Sequence, residues 1–216
     1  MKQPKVSIIV PIYNSAKYIE RCLVSLFEQT LDDLEYLFIN DGSTDNSMEL
    51  LEKILKKYPY REAQVKIFDN KINQGIAITR NTGLTNANGE YIIHCDSDDW
   101  IEKEMYKTMY DTAVSGNYDI VYCDYYRVVN GKPILKRSKS LDNNISVIKS
   151  ILIRNGDVTT YLCDKLVKRN LYNNNKILFS LDFNIMEDMT TIVRLLYFSN
   201  QITHVPIPLY YYDIKE

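Results

Sequence analysis

The chain has 216 residues, 45% of them apolar and 25% charged, which suits one α/β-sized domain, or one domain with a modest appendage, and a real core. A formal net charge of -2 supplies no overall field that would select nucleic acid or anionic lipid. No apolar run approaches the ~18 residues of a membrane span, and the opening MKQPK leads into a strand with no apolar signal-peptide region. Four scattered cysteines without C-x-x-C spacing read as reduced core thiols of a cytoplasmic protein, not as disulfides or a zinc site. The 18 tyrosines read as half-buried packing residues, a side chain that also stacks well on sugars.

The first hundred residues alternate strand and helix patterns. Val6 to Val10 is a nearly continuous apolar run, the mark of a strand covered on both faces, and Pro11 and Asn14 are expected to end it. Ile19, Cys22, Leu23, Leu26 and Phe27 recur at helical spacing. A second strand, Leu34 to Ile39, runs into NDGSTDNS, and Met48, Leu51, Ile54 and Leu55 mark the next helix, with Asp45 or Asn46 as its cap. A strand over 65–68, a helix over 74–87 and a strand over 90–95 follow. Repeated β-α-β units of this spacing imply a mostly parallel central sheet with helices on both faces.

Beyond residue 101 the pattern loosens. Residues 102–115 read as a helix and 119–126 as a strand, and Asn130-Gly131 predicts a hairpin turn. Helices are expected over 144–154, over 160–172 and from Glu187 onward, where Ile192, Leu195 and Leu196 form the apolar face. The prolines of HVPIPLYYYDIKE favour an edge strand or an extended tail. One domain is expected over 1–216: a nucleotide-binding half over 1–100 and a half over 101–216 that completes the site.

Ligands of open parallel sheets bind beyond the carboxyl ends of the strands. Here those ends are Pro11-Ile12-Tyr13-Asn14, Asn40-Asp41-Gly42-Ser43, Asn70 and Asp96-Ser97-Asp98-Asp99. No G-x-G and no P-loop is present to cradle phosphate by backbone alone. Three aspartates in four positions repel one another and call for a metal ion, a basic partner or a helix N-terminus. Hard carboxylate oxygens suit Mg²⁺ or Mn²⁺, and an EF-hand is excluded because its fifth and sixth positions would be Trp100 and Ile101. Simpler readings exist: Asp99 as the cap of a helix starting near Trp100, Asp96 and Asp98 as solvated loop carboxylates, Glu187-Asp188 as first-turn acids favoured by the helix dipole, and Arg80 as a surface arginine.

VSIIVPIYN, FINDGSTDNS, NQGIAITRNTGL, NGEYIIHCDSDD and the later ED, in this order over almost the whole chain, resemble the family-two glycosyltransferases of the GT-A fold, of bacterial polysaccharide type. The resemblance implies an inverting hexosyl- or N-acetylhexosaminyl-transferase. It would move a sugar from a nucleotide-diphosphate donor, by expectation a UDP-sugar, to a hydroxyl of a saccharide or lipid-linked saccharide acceptor in surface polysaccharide assembly. It implies a divalent cation, and a cytoplasmic setting compatible with peripheral contact at the inner face of the membrane. By the same resemblance Pro11, Tyr13 and Asn14 form the lip over base and ribose. Asp41 accepts a hydrogen bond from the uracil N–H. Arg80 lies near the diphosphate, Asp96 near ribose and metal, and Asp98 ligates the metal. Asp188 is the general base, which a helix N-terminus should keep ionised without an unusual pKa.

Two features depart from the family pattern. Cys163 stands where an aromatic often precedes the Lys-Leu pair, here Lys165-Leu166, leaving Tyr161 as a substitute stacking surface. Relatives often continue past YYY with an Arg and a tail, where this sequence has Asp213-Ile214-Lys215-Glu216. His204 is a candidate further metal ligand or a strand-packing residue. No basic residue neighbours Asp96–Asp98 in sequence. The alternatives are a non-catalytic nucleotide-sugar-binding module and a sugar nucleotidyltransferase, the latter disfavoured because PIYNSAKY lacks a glycine-rich basic loop.

Overall fold

In the computed structural model, which describes residues 3–141, 143–181 and 186–215, the fold grows from strand β1 (Val6–Ile12), buried at every position. α1 (Ile19–Phe27) covers one face with the five predicted residues Ile19, Cys22, Leu23, Leu26 and Phe27. β2 (Leu34–Asp41), α2 (Ser47–Leu55), a 3₁₀ turn at Pro59–Gln64, β3 (Val65–Asn70), α3 (Ile76–Asn86) and β4 (Tyr91–His94) follow. Asp45 secures the start of α2, accepting from the Ser47 amide at 3.0 Å and from the Ala16 amide at 2.9 Å.

β5 (Trp100–Ile101), α4 (Met105–Ser115), β6 (Ile120–Val129), β7 (Lys132–Lys136), α5 (Asn144–Ile153), β8 (Lys165–Lys168), α6 (Arg169–Asn174), α7 (Glu187–Phe198) and β9 (Ile202–Ile214) complete the chain. The sheet order is β3-β2-β1-β4-β8-β6-β9-β5, with β7 beside β6. β3, β2, β1 and β4 are parallel, as is the long β6–β9 pair, so most paired positions are parallel; antiparallel pairs enter at β4–β8, β8–β6, β6–β7 and β9–β5. Successive side chains of a strand face opposite sides. Val6, Ile8, Val10 and Ile12 therefore join the core under α1 and α4, and Ile9 joins the core under α3, α5 and α7.

β1 runs through Pro11 rather than ending at it. The Ile9 carbonyl accepts from the Cys95 amide at 3.0 Å, so Pro11, two residues on, faces the same side, where β4 has already ended. Its missing N–H removes no ladder bond. The predicted hairpin is present, with Asn130 and Gly131 at φ 50° and 73°, as a type I′ turn demands.

Three expectations are corrected. Residues 160–172 are not one helix: Leu166 and Val167 point into opposite cores, the period of a strand, and β8 precedes the short α6. Trp100 does not open a helix but pairs with Tyr211 as β5. β9 is no edge strand; it lies between β6 and β5. The register irregularity around Cys123, Asp124 and Tyr125 falls where Pro206 and Pro208 sit opposite, so a bulge absorbs the prolines.

α3 approaches the sheet closely at Gly83, where an added Cβ would stand 2.4 Å from Ile9 Cγ2. That contact fixes the height of Arg80, one turn earlier on the same helix. No helix among the described residues is long and apolar enough to cross a membrane.

Candidate active site

A cleft of about 260 Å³ opens at the carboxyl ends of the parallel strands, lined by Pro11, Tyr13, Asp41, Gly75, Asp96 and Asp98 among others. Five of the eight site residues expected from sequence therefore meet there. Tyr13 is 52% exposed. Asn14 is turned elsewhere: at φ 47°, its Oδ1 accepts from the Thr44 amide at 2.8 Å, and its own amide donates to Ser43 Oγ at 3.1 Å. It ties the loop after β1 to the loop after β2.

Asp41 ends β2 and is buried. Its Oδ1 accepts from Asn70 Nδ2 at 3.0 Å and the Gln74 amide at 2.9 Å, and its Oδ2 from the Gly75 amide at 2.9 Å. Gly75 reaches this geometry at φ 90°, a region open to glycine. A carboxylate has about four acceptor positions, so one remains on Oδ2.

Arg80 is not a surface residue; it is 4% exposed. Its Nη2 donates to Asp96 Oδ1 at 3.0 Å, and its Nη1 to Glu187 Oε1 at 3.0 Å and to Asp188 Oδ1. Burial opposes the cation, but Asp188, Asp96 and Glu187 outweigh it and hold the guanidinium charged. One side chain from α3 thus ties the loop after β4 to the first turn of α7.

Asp188 differs from expectation in its acidity. Burial, partly offset by Arg80 and reinforced by Asp96 and Glu187, raises its pKa to about 6. The helix N-terminus alone would have favoured the anion, but desolvation is the larger influence here.

Asp98 is the most open of the acids, with 38% of its side chain exposed. Burial and the charge of Asp96 raise its pKa, and Lys215 opposes them. Lys215 Nζ lies 3.7 Å from Asp98 Oδ2 and 2.8 Å from Asp213 Oδ2, which also takes Arg21 Nη2 at 2.7 Å. The aspartates therefore do have basic neighbours, brought by α1 and the end of β9. No local sequence signal could have found them.

Asp99 caps no helix. It is buried, accepts from the Tyr210 hydroxyl at 2.6 Å and the Asp213 amide at 2.8 Å, and fastens the acidic loop to β9. Burial and Asp96 raise its pKa to about 8, against the two donors. Ser97 meets Ser15 across the cleft, Oγ to Oγ at 2.6 Å. His204 packs within the sheet: its Nε2 lies 2.8 Å from Asp124 Oδ1 and its ring stacks on Tyr122.

Tyr161 stacks on Tyr212 at 5.0 Å and meets Tyr125 edge-on at 6.2 Å, forming an aromatic wall beside Asp188. The buried Lys165 shapes the loop behind it, with Nζ donating to Asp164 Oδ1 at 2.7 Å, Thr159 Oγ1 at 2.6 Å and the Tyr161 carbonyl at 2.8 Å. Among the described residues no group of three His, Cys, Asp or Glu side chains is gathered to hold a metal by itself. Asp96 and Asp98 offer hard oxygens beside a cleft, a donor set that fits Mg²⁺ or Mn²⁺ when substrate phosphates complete the coordination.

A mostly parallel α/β sheet with acidic residues at its strand ends, one of them held by a buried arginine that also grips the first turn of α7, is the arrangement of a GT-A fold. The chain belongs to glycosyl transferase family 2, whose family model matches residues 7–184. Among curated relatives it is 32% identical to EpsH of Bacillus subtilis over 226 aligned positions, covering 99% of this chain and 62% of EpsH. It is 31% identical to the poly(ribitol-phosphate) beta-glucosyltransferase of Bacillus spizizenii, covering 98% of this chain and 32% of that protein. The crystal structure of residues 1–349 of S. aureus TarS in complex with UDP superposes with a TM-score of 0.82 at 26% identity, covering 98% of this chain and 61% of that one. The chain thus spans at most about three fifths of the length of these relatives.

Proposed function

We propose that the protein transfers a sugar from a UDP-sugar to an acceptor hydroxyl with inversion, and that residues 1–100 hold the donor and 101–216 the acceptor and the base. The observation that carries this reading is Arg80, which joins Asp96 to Asp188. A donor-side carboxylate and a candidate base are thereby kept within the span of one guanidinium.

In this reading the base and ribose lie against Pro11 and Tyr13, and the free acceptor position of Asp41 takes the uracil N–H. Asn14 serves indirectly, by shaping the loop. Asp96 and Asp98 would hold a divalent cation, which would supply charge neutralisation to the departing diphosphate. Asp188 takes the proton from the attacking hydroxyl, and its pKa of about 6 places it near the optimum for a base at neutral pH. Arg80 keeps Asp188 oriented and its charge balanced. The acceptor lies against Tyr161 and Tyr212, a wall suited to a saccharide face. The four cysteines are buried and unpaired, which supports a reducing, cytoplasmic setting. The UDP complex of TarS and the polymer named in the Bacillus spizizenii relative support a UDP-sugar donor and a surface-polymer acceptor.

The test is UDP release from a panel of nucleotide sugars with Mn²⁺ and with EDTA. Release that needs the cation and prefers uridine donors is expected. Absence of release from every donor, with UDP still bound, would make the chain a binding module.

A further inference from the structure

The strongest unabsorbed feature lies under the arginine. Among the described residues, Arg80 Nε, both ring nitrogens of His94 and the Tyr172 hydroxyl are buried side-chain polar atoms with no protein partner. They share one neighbourhood. The Arg80 guanidinium carbon stands 5.4 Å from the centre of the Phe179 ring, and the His94 ring meets that same ring edge-on at 5.3 Å. Tyr172 packs in the same apolar cluster as Phe179. Phe179 is pinned from both sides of its backbone: its amide donates to Asn81 Oδ1 at 2.8 Å, and its carbonyl accepts from Asn81 Nδ2 at 2.9 Å.

Arg80's charge bears on Tyr172. Burial raises the pKa of Tyr172 and the cation opposes this. Arg80 and Tyr172 are nearly buried, and His94 is 1% exposed. Leaving three such groups unmet in one place is costly, and native interiors resolve the problem with an ordered water making about three hydrogen bonds. One water meets three of these four atoms: Arg80 Nε–H donates to it, it donates to one His94 ring nitrogen, and the Tyr172 hydroxyl supplies the third partner, which leaves the second His94 nitrogen unmet.

We propose that His94 and Tyr172 hold one internal water against Arg80 Nε and so act as positioning residues for the guanidinium that ties Asp96 to Asp188. Both Nη atoms are engaged by carboxylates, and a third anchor on Nε, in the plane of the group, would limit its rotation. The catalytic meaning rests on the transfer reading above; the presence of the water does not.

The test uses protein carrying ¹⁵N-arginine, with the Arg80 Nε–H signal assigned by its loss in Arg80→Lys. Wild type should show a cross-peak from that proton to a long-lived water. The cross-peak should vanish in His94→Leu and weaken in the isosteric Tyr172→Phe, and His94→Gln should retain it. In UDP release from UDP-glucose with Mn²⁺, His94→Leu should lower kcat by at least about tenfold with KM within about twofold, and His94→Gln should recover most of it. No water cross-peak in wild type, or one unchanged in both His94→Leu and Tyr172→Phe, overturns the site. A lost cross-peak with kcat unchanged overturns the positioning role. If His94→Leu does not fold, Tyr172→Phe decides by the same two readouts. Failure of the transfer reading would show separately, as no UDP release by wild type from any nucleotide sugar of the panel; where UDP-glucose alone is not turned over, the panel donor that is replaces it.

Discussion

Arg80 on α3 and Asp188 on α7 stand 108 residues apart in the chain and meet in a direct guanidinium–carboxylate contact. The same arginine also reaches Asp96, so one side chain bridges the loop after β4 and the first turn of α7. Arg80→Lys keeps the charge, but a point-like ammonium cannot span three carboxylates in the fork geometry. We expect Arg80→Lys to lose most transfer activity while still binding UDP with Mn²⁺. Arg80→Leu leaves three carboxylates facing one another and should destabilise the fold by ~3–5 kcal/mol. Urea unfolding beside calorimetric titration checks both, and an Arg80→Leu protein as stable as wild type would contradict the clasp.

Asp188→Asn keeps shape and removes the base. Transfer should fall by ~10²–10⁴-fold, with donor affinity within a few-fold of wild type. Single-turnover transfer beside donor titration decides; a collapse of donor affinity would make Asp188 a donor-site residue.

The raised acidity constant of Asp188 sets a pH signature. The proposed base works only when ionised, so transfer should rise with pH through a midpoint at or below about 6 and level off above it, since a cation on Asp96 and Asp98 would lower the value. Stability should move the other way. Because the folded state retains this proton to a higher pH than the unfolded chain, the contribution of Asp188 to stability is fully present below the ordinary carboxylate pKa. It is lost as pH rises through about 6. Asp188→Asn should flatten that segment of a stability profile measured by urea melts between pH 4 and 7. A profile identical to wild type would show that Asp188 titrates normally.

Asp41 and Asp98 should fail differently. Asp98→Ala should abolish the Mn²⁺-dependent part of UDP affinity with the fold intact. Asp41→Ala should reduce discrimination between UDP and other nucleoside diphosphates. It should also loosen the Gln74–Gly75 turn, because two backbone amides lose their acceptor. Titrations of UDP, GDP and ADP with and without Mn²⁺ separate the two.

Gly83→Ala tests the seat of α3. The new Cβ would press on Ile9 Cγ2, and the helix must lift or Ile9 must change rotamer. A loss of ~1–3 kcal/mol is expected, with transfer reduced more than UDP binding because Arg80 moves. Unchanged stability would mean that Ile9 yields freely.

Much of this was legible in sequence. Apolar periodicity located α1, α2 and the parallel strands, and the strand-end rule located the cleft with Asp41, Asp96 and Asp98. What escaped depended on distant partners. Lys165 falls in a stretch expected to be helical, and only the structure shows it buried among Asp164, Thr159 and the Tyr161 carbonyl. Lys215 and Arg21 reach the acidic loop from opposite ends of the chain. Asp99 looked like a cap because local spacing cannot reveal a hydroxyl on β9. His94 was given no role from sequence, though a histidine inside the apolar run of a covered strand was itself a signal.

The anchoring of Asp99 also has a bearing on how the protein comes into being. The loop that holds Asp96 and Asp98 is fastened by Tyr210 and by the amide of Asp213, 111 and 114 residues downstream. Chains emerge from the ribosome amino end first, at roughly 5–20 residues per second. The parallel strands can assemble while synthesis continues, and Ser15 and Arg80 can already meet the loop at Ser97 and Asp96, but Asp99 lacks its two donors until β9 has emerged. The growing polypeptide therefore carries Asp99 without its two donors for roughly several seconds, and the loop is fully fastened only once β9 has been made.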